Sequence, residues 1–223
     1  MEQEIMLSGV GGQGIQVNGQ LLGHAAAKEN KDALYYALFG GAQRGGVSDC
    51  IVIISDSGIT AAPLTLQPIS AALCMHPNSM RKFEEWVRPG GFMVVDGSIT
   101  ETQMVYQGEG GQVDKRAKNP LGVERTDIGL MSLPFSKIAY EELGNQLVAT
   151  LVAVGAFLEV SKVLKLESAK EALKLAIRPG RHKFLAISEK ALERGAAAVR
   201  KGEVQWHNQK AITLWKMPQT ARA

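Results

Sequence analysis

Cysteine is scarce in this chain of 223 residues: there are two, Cys50 and Cys74, each set in an apolar run. They form no C-x-x-C pair, so the chain alone lacks the four cysteines of an iron–sulfur cluster. Buried free thiols fit a reducing cytoplasm, which is the expected location. Net charge is also small, with 25 Lys and Arg against 22 Asp and Glu. That balance gives no basic face of the kind nucleic acid requires. No apolar run reaches the ~18 residues of a membrane span; the longest, 147–158, has the length of a buried core helix. Met1-Glu2-Gln3-Glu4 is acidic and leads directly into an apolar stretch, so no signal peptide is expected. No Gly-Lys-Ser/Thr follows the glycine run near the N-terminus, which excludes a Walker-type phosphate loop. Internal repeats and low-complexity segments are absent.

Glycine, by contrast, is plentiful at 24 residues, clustered at turns, and the 45% hydrophobic content suits a globular domain with a sizeable core. The chain is organised around Gly9-Val10-Gly11-Gly12-Gln13-Gly14. Residues 5–7 before it read as a strand. Ile15, Leu21, Leu22 and residues 25–27 after it recur at helical spacing. Strand, glycine turn and helix in this order open a nucleotide-binding α/β domain. Glycines there let an anionic ligand approach the backbone, and the helix presents unpaired N–H groups and the positive end of its dipole.

Further strands are expected over 33–38, 50–54, 69–75, 92–97 and 122–128. Helices are expected from residue 77 to about 87, over 134–143, 146–164 and 167–177, and over 184–200. The helix between the apolar strands 69–75 and 92–97 makes a βαβ crossover, hence parallel pairing. Residues 107–118 read as a polar excursion between strands. The fold class is therefore α/β: a mainly parallel, Rossmann-like three-layer sheet with helices on both faces and a helical C-terminal third. The expected division is one domain over 1–200 and an extension over 201–223, carrying Trp206 and Trp215, docked on a partner.

One alternative is a self-contained Rossmann-type protein binding NAD or another nucleotide. It demands a carboxylate at the end of the second strand to hold the ribose hydroxyls. Glu29 and Asp32 precede that strand instead, and it ends at Phe39-Gly40-Gly41. A second glycine-rich stretch begins there and runs to Gln43-Arg44-Gly45-Gly46. Turns after parallel strands open on one edge of the sheet, so the two stretches are expected to face each other. Gly9, Gly11, Gly12, Gln13 and Gly14 with Gln43, Arg44, Gly45 and Gly46 are the candidate ligand-contacting residues. A guanidinium beside exposed backbone N–H groups suits a phosphate or carboxylate. Among other polar groups, His76 at a strand end is a candidate acid–base group, though a histidine before proline is more often a turn residue. Asp96 has either a turn or a ligand role. Arg178, Arg181, His182 and Lys183 form a basic cluster between helices, a solvated or interface patch rather than a phosphate site. His24 reads as structural.

The G-x-G-G-Q-G turn followed by Gln43-Arg44-Gly45-Gly46 and a buried strand resembles the gamma subunit of 2-oxoacid:acceptor oxidoreductases, over residues 4–190. Family members often carry a Ser-Tyr-Gly-Pro-Glu type stretch where this chain has Leu38-Phe39-Gly40-Gly41-Ala42-Gln43. The resemblance implies CoA-dependent oxidative decarboxylation of a 2-oxoacid to an acyl-CoA by a hetero-oligomer. It implies thiamine diphosphate, with magnesium as a further candidate, between other subunits, and [4Fe–4S] clusters in a ferredoxin-like subunit. No cofactor is expected on this chain alone, which would shape the coenzyme A and substrate cleft and be inactive by itself. The sequence agrees in having no Gly-Asp-Gly with paired Asn for thiamine diphosphate. The 2-oxoacid and the acceptor, ferredoxin or NAD through an extra subunit, are set elsewhere.

Overall fold

The computed structural model describes residues 2–39, 46–59, 68–98 and 125–215. Thirteen regular elements appear among them: β1 (Glu2–Val10), α1 (Ile15–Lys28), β2 (Asp32–Phe39), β3 (Val47–Ser55), β4 (Ile69–Cys74), α2 (Pro77–Phe83), β5 (Val87–Asp96), β6 (Gly129–Leu133), α3 (Phe135–Glu141), α4 (Ala149–Ser161), α5 (Leu166–Ala176), α6 (Leu185–Arg200) and β7 (Gln205–His207). The strands form one sheet in the order β2-β3-β1-β4-β5-β6-β7. Parallel pairs join β1, β4, β5 and β6 in the centre. β3 lies antiparallel to both β1 and β2, which therefore run the same way, and β7 is antiparallel to β6. Five of the seven strands thus share one direction and end on one edge, as the α/β reading requires.

Alternation along the central strands fills both faces. Ile5 and Leu7 join Val52, Val94 and Phe157 in the core beneath the C-terminal helices, while Met6 joins Ile51, Met93 and Phe83 on the α2 side. The layers are uneven: α1, α3, α4, α5 and α6 cover one face, and α2 with the 3-10 turn Glu84–Trp86 covers part of the other. α4 is apolar nearly all round and buried along its length. No helix among the described residues is long and apolar enough to cross a membrane.

Two strand expectations change. Arg88-Pro89-Gly90-Gly91 does not end the preceding helix before a new strand; it lies inside β5. Val87 already pairs with Ile69, and the register shifts between Ile69 and Ala71. Proline survives in a strand at such an irregularity. Of the strand expected at 122–128, residues 122–124 lie outside the described residues and 125–128 are not extended; β6 begins at Gly129. Gly129 is a place of close approach rather than a break, because a Cβ there would run into Ile212. The segment from residue 205 has structure of its own: β7 extends the sheet, Thr213 and Leu214 donate N–H to the Gly90 carbonyl at 2.9 and 3.1 Å, and Trp215 packs edge-on against Phe92 and Phe157. Residues 205–215 thus pack on their own chain. The polar excursion at 107–118 lies outside the described residues.

Candidate functional site

The glycine turn sits where β1 reaches the edge shared by the parallel strands. Gly12 and Gly14 have φ of 103° and 77°, values that a side chain would strain, and Gly14 starts α1 with no side-chain cap. Gly11 and Gly12 are exposed. The first-turn N–H groups of α1 therefore open toward this edge beneath a backbone without side chains.

Gln13 does not reach out of the turn. Its Oε1 accepts the Val10 N–H at 2.8 Å and its Nε2 donates to the Met75 carbonyl at 3.2 Å, tying the turn to the end of β4. Its carbonyl accepts Thr150 Oγ1 at 2.7 Å, which brings the start of α4 to the same place. Gly9 is what makes room, since a Cβ there would meet Gln13 Oε1.

The second glycine stretch adjoins the first. Gly11 N–H donates to the Gly46 carbonyl at 2.8 Å, and Val10 pairs with Val47. Gly40, Gly41, Gln43, Arg44 and Gly45 lie outside the described residues. β1 and β2 are not neighbours, because β3 returns between them. The two stretches meet because β1 and β2 end on the same edge and β3 starts there.

A buried polar cluster lies just behind this edge. Asp49, 2% exposed, accepts from Ser8 Oγ and from Lys82 Nζ, the latter at 2.7 Å. Gln16 of α1 donates to Ser48 Oγ and the Asp49 carbonyl and accepts the Tyr35 hydroxyl. Sequence reading missed this group, although Ser8 and Asp49 are polar positions in otherwise apolar strands, which is a readable signal. Burial, and then the Asp49 charge, push the Cys50 thiol up to about 12 and raise that of Cys74 as well, so neither is a thiolate at neutral pH. Burial likewise raises the Tyr35 hydroxyl.

His76, Asp96 and His182 make local structural bonds. His76 caps α2, its Nδ1 accepting the Asn78 N–H at 3.2 Å, and burial holds its pKa below the ordinary histidine range. A neutral ring suits an acceptor. Asp96 accepts N–H groups from Ser98 and Ser136 and the Ser136 hydroxyl, fixing the turn after β5 to the start of α3. His182 bonds to the Ile177 carbonyl, beside the exposed Arg178, Arg181 and Lys183. Among the described residues no group of His, Cys, Asp and Glu is arranged to hold a metal. A cleft of about 370 Å³ opens at the far end of α1, beside Glu29, Glu159, Lys162, Glu193 and Arg200. Its charges pair among themselves, Arg200 with Glu159 and Glu193, and Lys162 with Glu159.

Known proteins resemble this chain in sequence and in fold. A family model described as pyruvate ferredoxin/flavodoxin oxidoreductase matches residues 4–198. The 2-oxoglutarate synthase subunit KorC of Methanocaldococcus jannaschii is 32% identical over 174 residues, 78% of this chain and 82% of the relative. Two solved structures share the fold. The gamma subunit of a keto/oxoacid ferredoxin oxidoreductase from Geobacter sulfurreducens superposes with a TM-score of 0.64 at 24% identity, over 87% of this chain and 96% of that one. The 2-oxoglutarate:ferredoxin oxidoreductase of Magnetococcus marinus, with 2-oxoglutarate, coenzyme A and succinyl-CoA bound, gives 0.68 at 20% identity, over 99% of this chain and 34% of that one.

Proposed function

Because the chain belongs to the pyruvate ferredoxin/flavodoxin oxidoreductase family, we propose that it is the gamma-type subunit of a cytoplasmic, multi-subunit 2-oxoacid:acceptor oxidoreductase. The reaction is the oxidative decarboxylation of a 2-oxoacid with coenzyme A to an acyl-CoA. The observation that carries this chain's part in it is the contact of the two glycine stretches through Gly11 and Gly46 at the strand-end edge. Beside that contact the first-turn N–H groups of α1 are the donors this edge offers to an anionic substrate. Arg44, shortly before β3 begins at Val47, supplies the fixed positive charge.

The chain's own residues do not fit the redox groups. Its two cysteines are both buried and lie in separate strands, so no cluster is routed through it. It has no thiamine-diphosphate motif either. Thiamine diphosphate with magnesium and the iron–sulfur clusters belong, in this reading, to partner subunits: thiamine-binding chains and a ferredoxin-like chain. This chain binds and orients: Gly9, Gly11, Gly12 and Gly14 keep the edge open, Gln13 braces it, Gly46 adjoins it, and Gln43, Arg44 and Gly45 are assigned the ligand contacts from sequence. We keep one domain over 1–200 with an extension over 201–223, of which residues 205–215 are packed on the domain.

The test is reconstitution with the partner subunits, following coenzyme A-dependent 2-oxoacid oxidation with a viologen acceptor. Turnover is expected to require this chain, and Arg44→Ala is expected to raise KM for coenzyme A. Full activity of the partners without this chain would overturn the proposal.

A further inference from the structure

At the ends of the helical layer away from the glycine turn, cations are matched by carboxylates. Lys28 pairs with Glu171, Lys162 with Glu159, Lys170 with Glu193, and Arg200 with Glu159 and Glu193. From there α5 runs back along α1. Its head is tied to the end of α1 by the Lys165 N–H, which donates to Glu29 Oε1 at 2.6 Å. Because α1 starts at the glycine turn, the tail of α5 and the 3-10 turn Pro179–Phe184 after it return toward that edge. The charges they carry are of one sign. Lys174, Arg178, Arg181 and Lys183 are exposed, and the chain has no carboxylate between Glu171 and Glu189. Among the described residues none of the four is in an ion pair; Lys183 lies over the Phe184 ring, 5.3 Å from its centroid.

Folding does not account for this placement. The 3-10 turn continues into α6 as one helical run, and neither start has a side-chain cap or an acidic residue in its first turn. The positive end of such a run favours carboxylates and disfavours cations. Arg178, Arg181 and Lys183 at that end repel it and one another, and they suit a negative group brought from outside. Leu175, 61% exposed, follows Lys174 and lies three residues before Arg178. An exposed leucine bordered by cations fits a protein surface, where an apolar centre is ringed by polar contacts, better than a free anion.

We propose that Lys174, Leu175, Arg178, Arg181 and Lys183 form a docking surface for an acidic face of a partner subunit, seated on the same side of the molecule as the glycine turn. The inference rests on the reading of this chain as one subunit of a larger enzyme. The cations steer and orient the partner, and Leu175 supplies the apolar contact at the centre.

The experiment titrates the fluorescently labelled full chain with the partner subunits and reads Kd from about 50 to about 300 mM salt. The variant carries Arg178→Gln, Arg181→Gln and Lys183→Gln together. Its Kd is expected to rise about tenfold at the lowest salt and to depend less on salt than that of the wild type. Thermal unfolding of the variant chain alone is expected at the wild-type Tm or about 1–3 °C above it, since the helix start loses its repulsion. A Tm well below wild type marks a structural role and overturns the docking. Leu175→Ser is expected to raise Kd about threefold, and a wild-type value there overturns the choice of a protein surface. Wild-type Kd and salt dependence in the triple variant overturn the docking, and if turnover still requires this chain, the subunit reading stands. Full activity of the partners without this chain removes both. Unchanged Kd with a raised KM for coenzyme A assigns the cations to its phosphates, and unchanged Kd with lost binding to a short DNA duplex assigns them to nucleic acid. Either result overturns the docking.

Discussion

A Cβ on Gly9 would collide with Gln13 Oε1 and crowd Ile15 Cδ1 at 3.0 Å and Met75 Cβ at 3.2 Å. The collision is with the oxygen that accepts the Val10 N–H, so Gly9→Ala must break the brace that holds the turn. Overpacking of this kind costs about 1–3 kcal/mol. Gln13→Ala costs about 1–2 kcal/mol by leaving the Val10 donor and the Met75 acceptor without their partner. The two losses overlap. In the double variant the new methyl has no Oε1 to strike, so urea unfolding is expected to give a destabilisation smaller than the sum of the single changes. Additivity within about 0.3 kcal/mol would show that the two positions are independent. The spacing of glycines was readable at once, because φ above zero and close approach demand glycine. The destination of the Gln13 side chain was not, because a polar residue in a turn looks the same whether it points to a ligand or back at its own strand.

At the scale of elements, α4 and α6 cross in close contact. A Cβ on Gly155 would land on the Leu192 carbonyl, and one on Gly195 on the Val152 carbonyl, so the two helices touch backbone to backbone. Neither obstacle is a flexible side-chain tip. Gly155→Ala is therefore expected to destabilise the chain by about 3 kcal/mol, at the upper end for overpacking, against the small gain alanine gives in a helix interior. Thermal or urea unfolding checks it, and a variant as stable as wild type would mean the helices separate freely. The sequence identified α4 as buried from its unbroken apolar character, and α5 and α6 from their amphipathic spacing. It could not pair Gly155 with Gly195, since nothing local distinguishes a glycine that admits a helix from one that ends it. β6 was also displaced: the expected strand stopped at residue 128, whereas Gly129 is a strand position that admits Ile212. β7 was missed because three residues are too few for alternation to register.

For the molecule as a whole, the position of β3 decides what the glycine turn can hold. A dinucleotide fold sets β2 beside β1, so that a carboxylate closing β2 reaches the ribose bound at the β1 turn. Here β3 fills that place and β2 lies a further strand away. At ~4.8 Å per strand, the end of β2 is roughly 10 Å from the axis of β1. It also ends without a carboxylate, at Phe39. Asp49, the acidic group nearest the turn on β3, is buried and held by Ser8 and Lys82, so it has no free oxygen to offer a ribose. Topology and side-chain chemistry therefore agree in withholding the second half of an NAD site, while both leave the first half, a glycine turn at the uncapped start of α1, in place. An isolated chain is accordingly expected to show no NAD binding in a calorimetric titration up to ~1 mM, a concentration at which a site worth more than about 4 kcal/mol would be seen. Micromolar binding of NAD by the chain alone would mean that a carboxylate reaches the ribose from elsewhere, and the division of labour among subunits would then have to be redrawn.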